Sequence, residues 1–196
     1  MTRAEAATIF ARLLAEKNGD NISTVARTKF DDIPAHAWYS GYVKYLNNHG
    51  VAYGKTKTTF APDEAITRAE YTALAVRFFE VYGDGSAEIM EKYKSFDDVS
   101  EGDWAASYIQ AAAKYGWVNG YEDGSFHPSR QITRAEVVTL TIRLLGRSAD
   151  EVYVQEHLRQ LNTFHDLSKR HWAYYEVMES ANAHTAVLGK NETWSK

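Results

Sequence analysis

The sequence predicts an all-α protein built from a repeated two-helix unit, and three observations carry that expectation. The stretch ITRAE at Ile66–Glu70 returns at Ile132–Glu136, and the chain opens on a near copy, MTRAE, at Met1–Glu5. The spacing around the copies is constant: Arg134 follows Arg68 by 66 residues (134 − 68), as Phe96 follows Phe30, Trp104 follows Trp38, Gly120 follows Gly54 and Pro128 follows Pro62. A constant interval of this length marks a tandem repeat. Behind each copy, apolar residues recur at i, i+3, i+4 and i+7, the period of one helix face.

Taken in order, residues 1–29 hold the late half of a unit plus a linker, with Ala6, Ile9, Phe10, Leu13 and Leu14 as its apolar face. Residues 30–95 hold a full unit and the segment that follows it. This unit opens on FDDI and Trp38, closes its first helix at Gly50, crosses the connector GVAYGKTKTTFAP and enters a second helix faced by Tyr71, Leu74, Ala75, Phe78 and Phe79. Glycine suits a helix C-terminus because it adopts the left-handed conformation without a Cβ penalty. Residues 96–163 repeat the plan through FDDV, Trp104, Gly116, GWVNGYEDGSFHP and the face Val137, Leu140, Leu144 and Leu145. Residues 164–196 begin an early half at FHDL, with Phe164 and Trp172 each 68 residues after their counterparts (164 − 96 and 172 − 104), and this half runs out after Gly189. The segments 81–95 and 147–162 are expected to form short extra helices. Each half-repeat by itself leaves an apolar face bare, so the two are expected to combine as a third prong, within one chain or in a homodimer that exchanges half-repeats.

Composition removes several function classes. A chain of 196 residues with 44% hydrophobic and 24% charged residues can bury a core of one or two domains. A net charge of −4 argues against a duplex nucleic-acid partner. With no cysteine there is no disulfide, thiol catalysis or cysteine-held metal. No apolar run reaches the length of a membrane span, and the N-terminus lacks the regions of a signal peptide. The chain is therefore expected to be either intracellular or a piece of a longer exported protein. The seven histidines are scattered, and His165 with His171 lacks the i, i+4 spacing of a helical metal pair. No nucleophile motif or phosphate loop appears. The carboxylates belong to repeated frames, whereas a glycosidase pair occurs once. The expectation is a non-enzyme without cofactor or metal.

The repeated TRAE fits a capping box, in which the Thr hydroxyl accepts from the N–H three residues on and the Glu returns to the Thr N–H. That accounts for Thr2, Thr67, Thr133, Glu5, Glu70 and Glu136. It leaves the arginines Arg3, Arg68 and Arg134 at the first helical position, where the helix dipole disfavours a cation by about 0.3–1 kcal/mol. Two readings stay open: the guanidinium with the helix-start N–H groups receives a carboxylate or phosphate, or each Arg pairs with a neighbouring acid and packs on an aromatic ring.

The unit FDDV…DW…GWVNGYEDGSFHPSRQITRAE resembles the S-layer homology domain, in its Phe-x-Asp, Trp, paired glycines, Phe-x-Pro and TRAE. The resemblance implies helical repeats in a pseudo-threefold spindle. It also implies a non-catalytic anchor on the bacterial cell wall, part of a larger exported protein at the cell surface. Grooves between the prongs would bind secondary cell-wall polysaccharide through a pyruvate ketal. Under it, Arg3, Arg68 and Arg134 meet the ketal carboxylate, and Gly54, Gly120 and Gly189 let the sugar approach the backbone. Asp32, Asp98 and Asp166 accept sugar hydroxyls, although an N-cap of the first helix is the plainer expectation for them. Trp38, Trp104 and Trp172 each begin an apolar face, so the core is their expected place and sugar stacking the alternative. The connector from Gly54 to Phe60 departs from the family pattern, so the groove that uses it is expected to bind worst and one containing Arg134 and Gly120 best. The rival readings are a peptidoglycan-binding module, a self-assembly module of a surface layer and a wall-lytic enzyme. No nucleic-acid partner and no membrane span are expected.

Overall fold

The computed structural model describes residues 1–23, 25–83, 92, 94–187 and 193–195, and forms two compact units, Met1–Ile132 and Thr133–Lys196. The first contains α1 (Arg3–Asn18), α2 (Ser40–Asn48), α3 (Arg68–Tyr82) and α4 (Ala106–Lys114). The second contains α5 (Arg134–Leu144), α6 (Glu151–His157) with a 3-10 turn at Leu158–Gln160, α7 (Tyr174–Ala181) and two short strands, β1 (Thr185–Val187) and β2 (Thr193–Ser195). The all-α class holds. The antiparallel β1–β2 pair, with Ala186 opposite Trp194, is the addition to it among the described residues. The segment 147–162 supplies α6, as its sequence suggests, while 84–91 lies outside the described residues.

Each TRAE starts a helix for the local reason its residues give. Thr2, Thr67 and Thr133 accept from the N–H of Glu5, Glu70 and Glu136, and each Glu side chain returns to the Thr N–H, closing three capping boxes. Gly50 and Gly116 follow the ends of α2 and α4 at φ near +70°, the left-handed conformation that releases the chain into the connector.

In the first unit α1 packs on α2 and α3, and α3 packs on α4. Phe10 lies 5.3 Å from Tyr71 and 4.8 Å from Phe78 between ring centroids, and all three are fully buried. Burying an aromatic of this size contributes roughly 1.5–3 kcal/mol. In the second unit α7 packs on α5, and Val154, Tyr174, Met178 and Trp194 form a core cluster. Each half-repeat finds a partner for its apolar face within its own unit. The α1 face is covered by α2 and α3, and the α7 face by α5. Each TRAE helix pairs with the opening helix of the following copy, so the packing unit is offset by half a repeat from the sequence unit.

The tryptophans correct an expectation. Trp38, Trp104 and Trp172 are 54%, 60% and 60% exposed. The buried stripe of α4 runs Ala105, Ile109, Ala112 and Ala113, and that of α2 runs Tyr39, Val43 and Leu46. Trp104 and Trp38 precede these stripes by one residue, about 100° around the helix, which turns them outward.

Candidate functional site

The site in the first unit is built on the connector between α2 and α3. Asp32 accepts from the Phe60 N–H at 2.9 Å and the Ala61 N–H at 2.6 Å. In the next copy, Asp98 accepts from the Phe126 and His127 N–H groups, both at 2.7 Å. Ala61 and His127 hold φ of 59° and 57°, a conformation that costs an L-residue about 1–2 kcal/mol. The carboxylates hold these strained turns in place. The N-cap expectation is corrected: neither acid caps a helix, since α2 and α4 begin at Ser40 and Ala106 without a side-chain cap, and both carboxylates accept from the backbone of the connector instead. Asp166 is exposed. In the second unit a different acid, Asp150, accepts from the Tyr153 N–H at 2.9 Å and the Trp194 N–H at 3.1 Å.

The turns receive the TRAE segment of the preceding copy. The Arg3 and Ala4 N–H groups donate to Glu64 O at 2.9 Å and Pro62 O at 3.0 Å. The Arg68 and Ala69 N–H groups donate to Arg130 O at 2.9 Å and Pro128 O at 3.0 Å. Together with the capping boxes, these bonds occupy every N–H of the first turn of α1 and α3, so no helix-start donor remains there for an anion.

The arginines follow the same offset. Arg3 is buried, donating through Nε to Phe60 O at 2.8 Å and through a terminal nitrogen to Tyr53 O at 3.0 Å. Its other terminal nitrogen lies 3.2 Å from Glu70 Oε1, and its guanidinium carbon sits 4.9 Å from the Phe60 ring centroid. Burial lowers its pKa from the ordinary arginine value, against the opposing pull of Glu70, Glu64 and Asp32. Arg68 is likewise buried, with Nε on Phe126 O at 2.8 Å and its guanidinium over Phe126 and Tyr121. Thus Arg3 serves the Gly54–Phe60 connector and Arg68 the Gly120–Phe126 connector. Gly120 lies in the first unit, on the connector that Arg68 reaches, and Arg134 opens the second unit, exposed to solvent.

The glycines face inward. A Cβ on Gly54 would lie 2.6 Å from Phe30 Cε1 and 2.5 Å from Thr59 O; one on Gly120, at φ +66°, would lie 2.4 Å from Phe96 Cε1 and 2.7 Å from Ser125 O. Close approach of the connector to its own Phe-x-Asp phenylalanine is what excludes a side chain. Gly189 lies outside the described residues.

Beside Arg3 opens a groove of about 440 Å³, walled by Arg3, Tyr53, Lys55, Glu70, Arg77 and Trp104. Three cations and the Glu70 carboxylate line it, and Tyr53 and Trp104 are more than half exposed. Lys55 pairs with Glu64 at the rim. Arg77, on α3, has its guanidinium carbon 4.7 Å from the Tyr53 centroid and 4.5 Å from that of Tyr108, and its Nε donates to Tyr108 Oη at 3.1 Å. Exposed rings offer a face to the apolar side of a sugar, and the surplus cations suit an acidic group on it. Sequence reasoning missed Arg77, Lys55, Tyr53 and Tyr108. One signal was present: Arg12, Arg77 and Arg143 each follow a TRAE arginine by nine residues, and Arg12 lies over Tyr42, which precedes Tyr108 by the same 66 residues (108 − 42). Among the described residues no helix is long and apolar enough to cross a membrane.

Comparison with known proteins agrees with this repeat structure. The profile of the S-layer homology domain matches residues 29–72 and 95–138. The chain is 34% identical over 196 residues to a cellulosome-anchoring protein of Acetivibrio thermocellus, covering 97% of this chain and 40% of that one. It is 32% identical over 149 residues to a surface-layer 125 kDa protein of Lysinibacillus sphaericus (74% of this chain, 12% of that one). It is also 32% identical over 150 residues to an amylopullulanase of Thermoanaerobacterium thermosulfurigenes (76% and 8%). The chain therefore spans less than half the length of these relatives, from 8% to 40%.

Proposed function

The chain belongs to the S-layer homology family, and on that premise we propose that it is the wall-anchoring module of a larger protein of the bacterial cell surface. Its partner is a cell-wall polymer, in the finer reading an anionic secondary polysaccharide whose pyruvate ketal supplies the acid. The carrying observation is the groove of the first unit, lined by the cations Arg3, Lys55 and Arg77, with Glu70 against Arg3 and Glu64 on Lys55 at the rim, beside the exposed rings of Tyr53 and Trp104. In this reading Arg68 and Arg134 mark the corresponding places in the later copies, and the backbone at Gly54, Gly120 and Gly189 borders the sugar. The role is non-catalytic: an anchoring protein, a surface-layer protein and an amylopullulanase share this segment, so what it contributes is common to proteins of different activity. The test is co-sedimentation of the chain with purified cell-wall sacculi before and after removal of the secondary polymer. Binding lost on removal supports the polysaccharide; binding retained moves the assignment to peptidoglycan. Growth of particles in light scattering at micromolar concentration, without wall material, would point to lattice assembly instead.

A further inference from the structure

We propose that the acidic group of the ligand in this groove is received by Arg77, and that Arg3 is a structural part of the groove floor. The inference rests on the anchoring reading and names the residue within that site which selects an acidic saccharide. Arg3 is already engaged on three sides, by Phe60 O, Tyr53 O and the Glu70 carboxylate. An incoming carboxylate at Arg3 would meet Glu70, a like charge, at the same guanidinium. The N–H groups of the α1 and α3 starts, the other receptor the sequence offers, donate to connector carbonyls and cap hydroxyls. Arg77 differs on each count. Its Nε donates to Tyr108 Oη, while its two terminal nitrogens meet no protein acceptor among the described residues. The rings of Tyr53 and Tyr108 lie against its guanidinium at 4.7 Å and 4.5 Å, so the fork is held before the ligand arrives. Two parallel N–H donors on a fixed plane match a planar carboxylate, a geometry an ammonium cannot reproduce. Trp104, 60% exposed on the same groove, supplies a face for the sugar that carries the acid.

The experiment is calorimetric titration of the full chain with purified wall polysaccharide, native and stripped of its pyruvate, together with thermal melts. The wild type is expected to prefer the native polymer. Arg77→Gln should lose affinity for it by more than about tenfold, with an unchanged melting temperature, and Arg77→Lys should fall between. On the stripped polymer, wild type and Arg77→Gln should bind alike, whereas a merely structural role for Arg77 would weaken both polymers equally. Native-polymer affinity unchanged in Arg77→Gln, or an equal loss on both polymers, overturns the Arg77 assignment and leaves the anchoring reading standing. A wild type that binds neither polymer overturns the anchoring reading itself.

Discussion

Replacing Gly120 with Ala separates the two roles open to the connector glycine. At φ +66° an L-residue costs about 1–2 kcal/mol relative to glycine. The new methyl would stand 2.4 Å from Phe96 Cε1 and 2.7 Å from Ser125 O. Neither neighbour yields easily. Phe96 is buried 5.3 Å from Phe126, and Ser125 O accepts the Tyr121 N–H at 2.9 Å. Overpacking of this kind adds about 1–3 kcal/mol. Against it stands the lower entropy of the unfolded chain with alanine, about 0.4–1 kcal/mol. The expected net loss is about 2–4 kcal/mol, read as a shift in the urea midpoint of the first unit by circular dichroism, with no ligand present. Gly19→Ala is the control. Its φ of +71° carries the same torsional penalty, but its Cβ would have nothing within 4 Å, so its loss should stay near 1 kcal/mol. Equal losses at the two sites would refute the packing argument. So would a Gly120→Ala chain of wild-type stability that fails only in wall binding, and that result would return the glycine to the ligand.

Asp98→Ala should destabilise the first unit by about 2–3 kcal/mol, because the Phe126 and His127 N–H groups lose a charged acceptor while His127 keeps its strained turn; Asp98→Asn should recover part of the loss in the same urea assay. Trp104→Ala should leave the melting temperature nearly unchanged and weaken polysaccharide binding roughly two- to tenfold by calorimetry, as expected of an exposed stacking ring. The hydrogen bond from Ser125 Oγ holds the Asp123 carboxyl below its ordinary pKa. That carboxylate favours the folded state above the ordinary Asp range, and the benefit fades as pH falls through its lowered value. Ser125→Ala should move the Asp123 titration upward, observed by carbon NMR of its carboxyl; an unmoved titration would exclude Ser125 as the cause.

Much of the fold is legible along the chain because its causes are short-range. A capping box spans four residues, and a buried face declares itself within two turns, so Thr67 with Glu70 and the stripe from Tyr71 to Phe78 announce α3 without reference to anything else. The tandem repeat is visible for the same reason, as one set of local causes written more than once. Which groups meet is another matter. Asp32 reaches across 28 residues to the Phe60 N–H, and Arg3 across 57 residues to the Phe60 carbonyl. Each bond joins one sequence copy to the next or the two ends of a single copy, and nothing local encodes either. The phase of a helix against its neighbour turned Trp104 outward by a single residue, although the apolar pattern around it suggested the core. The same packing set Arg3 against Glu70 and Arg77 between the rings of Tyr53 and Tyr108, a distinction invisible in sequence because two guanidiniums differ only in what surrounds them.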